Sequence, residues 1–210
     1  MRARPLALAA TGLALTAALT ACGSAMDAST TSGTGGSGFS ATSSTSAAAA
    51  DIAFAQLMIP HHRQAVEMAD LALEYGSSTE VVQLANQIKA AQDPEIEQMT
   101  RWLQDWGAPL AMPGSDDSGM PGMDHSGMDM GGVGMAGIMS DEDMASLAEA
   151  RGADFDAMWL QMMIAHHQGA LAMAEDVLAT TDDPQVTALA NAVVQGQQAE
   201  IDTMQQLLAG

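Results

Sequence analysis

Apolar positions between residues 51 and 75 recur at the spacing of one helical face. Wound at 100° per residue, Phe54, Met58, Ala65, Met68, Ala69 and Ala72 share an arc of about 140°, with His61 and His62 near its two edges. Gly76 ends this helix, and Ser77 and Glu80 frame a capping box for the next. That second helix carries a stripe of Val81, Leu84, Ile88, Ile96 and Leu103, interrupted on the same face by Gln92, Glu95 and Met99, and stops at Trp106-Gly107-Ala108-Pro109. A third helix is expected over 153–179, with Trp159, Met163, His166, His167, Ala170, Met173 and Ala174 on one face. Asp183 and Pro184 supply an N-cap and first-turn proline for a fourth, which carries Gln197, Glu200 and Met204. Ser140 to Asp143 starts a short helix ahead of the third. Pro60 lies inside the first helix, where it is expected to kink the axis and free the carbonyl of Gln56.

The third and fourth helices repeat the first and second. At a constant offset of 105 residues and without a gap, 19 of 53 positions from 51–103 are identical in 156–208. Val81, Leu84, Ala85, Asn86, Gln92, Glu95, Ile96 and Met99 reappear as Val186, Leu189, Ala190, Asn191, Gln197, Glu200, Ile201 and Met204. The unit is an αα-hairpin, duplicated. One amphipathic hairpin has nothing to cover its apolar face, whereas two close over each other. The expected fold is therefore all-α, a ferritin-like four-helix bundle over 51–208, built from hairpins 51–107 and 140–208.

Between the hairpins, residues 108–139 show neither helical nor strand period. Met120, Met123, His125, Met128 and Met130 stand there among glycines and acids, as expected of a flexible loop. The N-terminus differs again. Arg2 and Arg4 precede a short apolar run over 6–19, and Leu19-Thr20-Ala21-Cys22 fits a lipoprotein cleavage box. The run is shorter than the ~20 residues of a spanning helix, so 1–21 read as a removable signal peptide and Cys22 as the lipidated residue. Residues 22–50, almost all Gly, Ser, Thr and Ala, read as a flexible tether. The chain is thus expected to be exported and lipid-anchored to the outer face of the cytoplasmic membrane.

Loss of the leader leaves four basic against 26 acidic residues, a formal charge of −22. That balance excludes nucleic acid as a partner and favours cations. Cys22 is the only cysteine, so no intramolecular disulfide forms. Aromatics make up 3% of the chain while methionines number 18, more than core filling asks for.

Chemistry concentrates where the repeats agree. Both His-His pairs are expected to face inward, each with a methionine one turn earlier: Met58 before His61 and Met163 before His166. Di-iron bundles instead place Glu one turn before His, and no Glu-x-x-His occurs here. Thioethers are soft ligands that favour Cu(I) over iron, zinc or magnesium, and imidazole accepts either oxidation state of copper. Met99 and Met204 extend the inward set, although Met68, Met99, Met173 and Met204 taken singly are ordinary core methionines. Glu95 and Glu200 suit a supporting role, accepting hydrogen bonds from the imidazoles. Met120, Met123, His125, Met128 and Met130 make a second candidate copper set, or else a Gly/Met spacer.

The segments Met58-Ile-Pro-His-His-Arg-Gln-Ala-Val-Glu-Met-Ala69 and Met163-Ile-Ala-His-His-Gln-Gly-Ala-Leu-Ala-Met-Ala174 resemble the signature of a family catalogued as domain of unknown function 305. The resemblance covers 51–107 and 139–208. It implies a ferritin-like bundle and, because some exported members are associated with copper binding and tolerance, a copper-handling role. By position it implies ligands at Met58, His61, His62 and Met68, and at Met163, His166, His167 and Met173.

The sequence thus reads as an exported lipoprotein that binds Cu(I) or Cu(II) for sequestration, tolerance or transfer to other envelope copper proteins, and not as an enzyme. It leaves two rivals open: a ferritin-like metal oxidase, and a metal-free interaction module of the envelope.

Overall fold

The computed structural model describes residues 40–111 and 136–210, with side chains from residue 48 onward. The expected signal peptide, Cys22, the expected tether up to residue 39, and Met120, Met123, His125, Met128 and Met130 lie outside the described residues. Among those described there are five helices and no strand: α1 Ser40–Tyr75, α2 Thr79–Asp105, α3 Asp141–Glu149, α4 Gly152–Leu178 and α5 Pro184–Ala209.

Two expectations need correction. α1 begins at Ser40, so residues 40–50 of the expected tether are helical. The four alanines at 47–50 have the highest helix propensity of any residue, and they carry the helix back from its packed part. The N-cap of α2 is Ser78, whose hydroxyl accepts from Val81 N–H, one residue later than expected. Ser77 is drawn elsewhere, because its N–H and hydroxyl both donate to the Asp156 carboxylate at the start of α4. The Asp183 cap with Pro184 is present on α5, and Ser140 and Asp143 form a full capping box on α3.

Each repeat folds as an antiparallel hairpin, α1 with α2 and α4 with α5, and α1 packs against α4. The core divides into two apolar clusters. In one, Phe54, Met58 and Ile59 from the first half of the packed part of α1, residues 51–75, meet Met99 and Leu103 of α2, Met173 and Val177 of α4, and Val186 and Val193 of α5. In the other, Met68 and Ala72 meet Leu84 and Ile88, Phe155, Trp159 and Met163, and Ile201 and Met204. The first half of this packed part therefore lies beside the second half of α4, and its second half beside the first half of α4. The two helices run antiparallel, and positions 105 apart exchange places. Trp159 locks this pairing by donating its indole N–H to the Met68 carbonyl at 2.8 Å. Pro60 sits inside α1 with its ring turned to solvent.

The described ends of the insertion are pinned to α1. At the near end, Gln56 Nε2 donates to the Pro109 carbonyl at 2.7 Å. At the far end, Gln64 Nε2 donates to the Met139 carbonyl while its Oε1 accepts from the Met139 N–H, both at 2.8 Å. Residues 136–139 cross α4 so closely that a Cβ on Gly169 would stand 1.9 Å from the Ala136 oxygen. Gly137 holds a φ of +81°, and a Cβ there would meet the carbonyls of Ala165 and His166. Gln64 and Gly169 occupy the same place in the two repeats, so the duplication has diverged there to seat one strap.

Gly169→Ala is expected to cost about 1–3 kcal/mol, since the obstacle is backbone that cannot swing aside. Gly196→Ala meets nothing within 4 Å and should instead stabilise by about 0.5–1 kcal/mol, the usual gain for replacing glycine within a helix. Chemical denaturation of the two variants tests the opposite signs.

Asp51 and Asp156 also match at the 105-residue offset but titrate in opposite directions. Burial pushes Asp156 up, yet the hydrogen bonds from Ser77 and Ser78 outweigh it and hold the carboxyl below its usual range. Asp51 faces the other hairpin turn, where Asp182 and Asp183 replace those serines. Burial raises it, Thr181 opposes with a hydrogen bond, and the two aspartates add to the rise, leaving Oδ1 buried without a partner. At pH 7, Asp156→Asn should destabilise by about 1.5–3 kcal/mol. This loss relative to the parent disappears as pH falls below 3.8 and through the lowered folded-state value, where the parent carboxyl is protonated too. Asp51→Asn should stabilise at pH 7, and its advantage should fade as acid protonates Asp51 through its raised folded-state range and down to 3.8. Thermal melts from pH 3 to pH 7 separate the two curves.

Candidate metal centre

Between the two apolar clusters lies a polar layer. His61 and His62 of α1 and His166 and His167 of α4 are at most 1% exposed. Consecutive residues on a helix differ by 100°, so each pair splits its directions. His61 turns toward its repeat mate, and the His61 and His166 rings lie 3.8 Å apart at 44°. His62 and His167 turn toward the second helix of their own hairpins. Glu95 Oε2 accepts from His62 Nε2 at 2.7 Å, and Glu200 Oε2 accepts from His167 Nε2 at 2.8 Å.

These hydrogen bonds engage one ring nitrogen of each outer histidine. With Nε2 held by a carboxylate, His62 and His167 leave Nδ1 buried and, among the described residues, without a partner. His61 Nε2 lies 3.3 Å from the Ala136 carbonyl and donates to it, so its Nδ1 is likewise free. Among the described residues His166 makes no well-formed hydrogen bond at either nitrogen, the nearest polar influence being the His61 backbone. Burial, reinforced by His62, pushes His61 down to about 3 against the opposing pull of the Ala136 carbonyl. Burial and the neighbouring histidines also hold His166 well below the ordinary imidazole value. Both are neutral at pH 7, the form that binds a metal.

The six methionines singled out in the hairpins are all buried, at most 5% exposed. Met58, Met99 and Met173 belong to the cluster on one side of the layer, and Met68, Met163 and Met204 to the cluster on the other. Thioethers therefore flank the imidazoles from both sides. Among the described residues, no group of three or more His, Cys, Asp or Glu converges as a metal site by itself. The donors the layer and its borders offer are imidazoles and thioethers, a set that suits a soft monovalent ion.

The inward direction of both His-His pairs, and of Glu95 and Glu200, is readable from helical period. The meeting of His61 with His166 is not, because the sequence does not reveal which faces of the two hairpins pair. Sequence reasoning also misses Gln56, Gln64, Ala136 and Gly169. The available signal is the replacement of Gln64 by Gly169 within an otherwise matching motif.

The family model described as "Domain of unknown function (DUF305)" matches residues 51–208. No curated protein matches the chain. Among solved structures, the chain resembles a DUF305 protein of Streptomyces coelicolor at 33% identity and a TM-score of 0.65, covering 76% of this chain and 92% of that one. A DUF305 fragment from Deinococcus radiodurans matches at 31% identity and a TM-score of 0.63, covering 76% and 95%. CopM in its Cu(II)-bound form matches at 33% identity and a TM-score of 0.60, covering 76% and 95%, and CopM has also been solved with Cu(I) and with silver. With the family model matched across both hairpins and the same bundle found in these relatives, the chain belongs to the DUF305 family.

Proposed function

We propose that this protein binds copper in the His/Met layer of its bundle and sequesters it, or passes it on, in the cell envelope. The observation that carries this reading is the close, tilted His61–His166 pair, neutral, buried and, among the described residues, retaining unpartnered nitrogens between two clusters that hold six buried thioethers. An unpaired polar atom in a dry core is costly, and a bound ion would satisfy these nitrogens. Few imidazoles and many thioethers fit Cu(I), and silver by the same softness, better than tetrahedral zinc or octahedral magnesium. The copper-bound and silver-bound forms of CopM support the same assignment. Glu95 and Glu200 orient His62 and His167 from behind, as carboxylates do for metal-bound imidazoles.

In this reading the signal peptide and Cys22 deliver the protein to the outer face of the membrane. The Streptomyces relative is designated a secreted protein, which agrees with export. Met120, Met123, His125, Met128 and Met130 add a second set of soft donors. The protein acts by reversible ligand exchange rather than by catalysis.

Anaerobic Cu(I) titration against a chromophoric chelator tests the proposal. The full chain should bind tightly, and His61→Ala with His166→Ala should weaken the bundle site by at least about a hundredfold, roughly 2.7 kcal/mol. Tight binding that survives this change and disappears on deletion of 112–135 would move the copper to the insertion. No tight binding in the parent would sink the copper reading.

Glu95→Gln and Glu200→Gln keep the shape of the layer but weaken the orienting hydrogen bond. Each should lower Cu(I) affinity by about tenfold to a hundredfold while leaving the helical circular dichroism unchanged. Unchanged affinity would make the two carboxylates purely structural.

A further inference from the structure

We infer that the ion enters and leaves the histidine layer through the seam between α2 and α5, with Glu95 and Glu200 forming its mouth and Gln92 and Gln197 its floor. The inference rests on the copper-binding reading and adds a route to it. The α1–α2 and α4–α5 seams are closed by the tight packing of each hairpin, which leaves the α1–α4 and α2–α5 faces as approaches to the layer. On the first, the backbone of residues 136–139 presses on α4 at Ala165, His166 and Gly169 and caps His61 through the Ala136 carbonyl. Gln64 holds that strap with two hydrogen bonds of 2.8 Å.

The second face is built differently. α2 and α5 meet sparsely, in contrast to the close packing within each hairpin and between α1 and α4. At the level of the histidines they leave a cleft of ≈ 30 Å³ lined by Ala91, Gln92, Glu95, Gly196, Gln197 and Glu200. That volume accommodates a water molecule or a largely dehydrated ion. Small residues, Ala91 and Gly196, occupy matching positions of the two repeats at its rim, and a Cβ on Gly196 would meet nothing within 4 Å. The Glu95 and Glu200 side chains are 19% and 17% exposed, so each carboxylate faces the cleft while holding a fully buried imidazole.

Gln92 is 2% exposed and Gln197 is 4% exposed. Among the described residues, both polar atoms of the Gln92 amide, and the oxygen of Gln197, are buried without a partner. Buried amides are ordinarily hydrogen-bonded, so unpaired ones on a cleft floor point to a transient polar occupant. Two carboxylates attract a cation out of the strongly acidic surroundings of the chain, the amide oxygens replace part of its hydration, and one hydrogen bond separates the carboxylates from His62 and His167.

Anaerobic stopped-flow transfer of Cu(I) from a chromophoric chelator to the full chain tests the route, alongside equilibrium titration of the same proteins. Gly196→Leu and Ala91→Leu each place bulk at the rim without touching the histidines. Each should slow uptake and release alike by at least tenfold, leaving equilibrium affinity within about twofold and helical circular dichroism unchanged. Gln64→Leu, which unpins the strap on the opposite face, should leave the uptake rate unchanged. Parent rates in both rim variants, or a tenfold faster uptake in Gln64→Leu, would overturn the route and place entry under residues 136–139. An affinity loss as large as the loss of rate would show that the leucines damage the site itself, which also overturns it. A parent that takes up no Cu(I) at equilibrium removes the copper reading, and the route with it.

Discussion

Everything in this bundle is arranged around the burial of four imidazoles at mid-height. A continuous apolar core would be easier to stabilise, because each polar group withdrawn from water must find a partner inside. The chain meets this demand in part. His62 and His167 are tied to Glu95 and Glu200, and His61 to the Ala136 carbonyl. Among the described residues, His166 and the remaining Nδ1 atoms are left without well-formed hydrogen bonds. The apolar clusters above and below supply what holds the layer together, and they also border it with sulfur. The fold therefore maintains a buried layer whose polar atoms are incompletely satisfied among the described residues.

Duplication explains why the site lies at the centre. With α1 and α4 antiparallel, residues near the middle of each helix approach their own repeat mates, whereas residues near the ends approach the opposite hairpin turn. The His61–His166 contact is of the first kind, and the Asp156 contact with Ser77 and Ser78 is of the second. Symmetry is kept where the layer needs paired donors. It is lost at Gln64 and Gly169, where a single strap has to be seated, and at Asp51, whose turn lacks the serines.

Helical period and the 105-residue offset make the hairpins, their inward histidines and most caps legible in the amino-acid sequence. What escapes is set by contacts between distant segments. Ser77 has the pattern of a cap for α2 because a glutamate follows three residues later, but Asp156, far along the chain, claims its donors and Ser78 takes over. The close approach of His61 and His166 depends on which helices are neighbours, a choice that amphipathic stripes do not encode. Gln56 and Gln64 pass for ordinary polar positions because their partners are backbone atoms of the insertion, whose sequence carries no period.

Because the central ring contact requires both repeats, an ion held at it would be coupled to assembly of the two hairpins. A single hairpin would expose its apolar stripe and would carry only half of the paired imidazoles. The assembled bundle offsets its unpartnered nitrogens with apolar burial from both clusters, and an ion that binds only this assembled state adds its binding free energy to the stability of the fold. The same coupling bears on selectivity. A hard divalent ion would require a ring of carboxylates, and here the two nearest carboxylates are already engaged by imidazoles. A soft monovalent ion needs few ligands and tolerates thioethers, so it can occupy the layer without dismantling the hydrogen bonds that keep the four histidines in place.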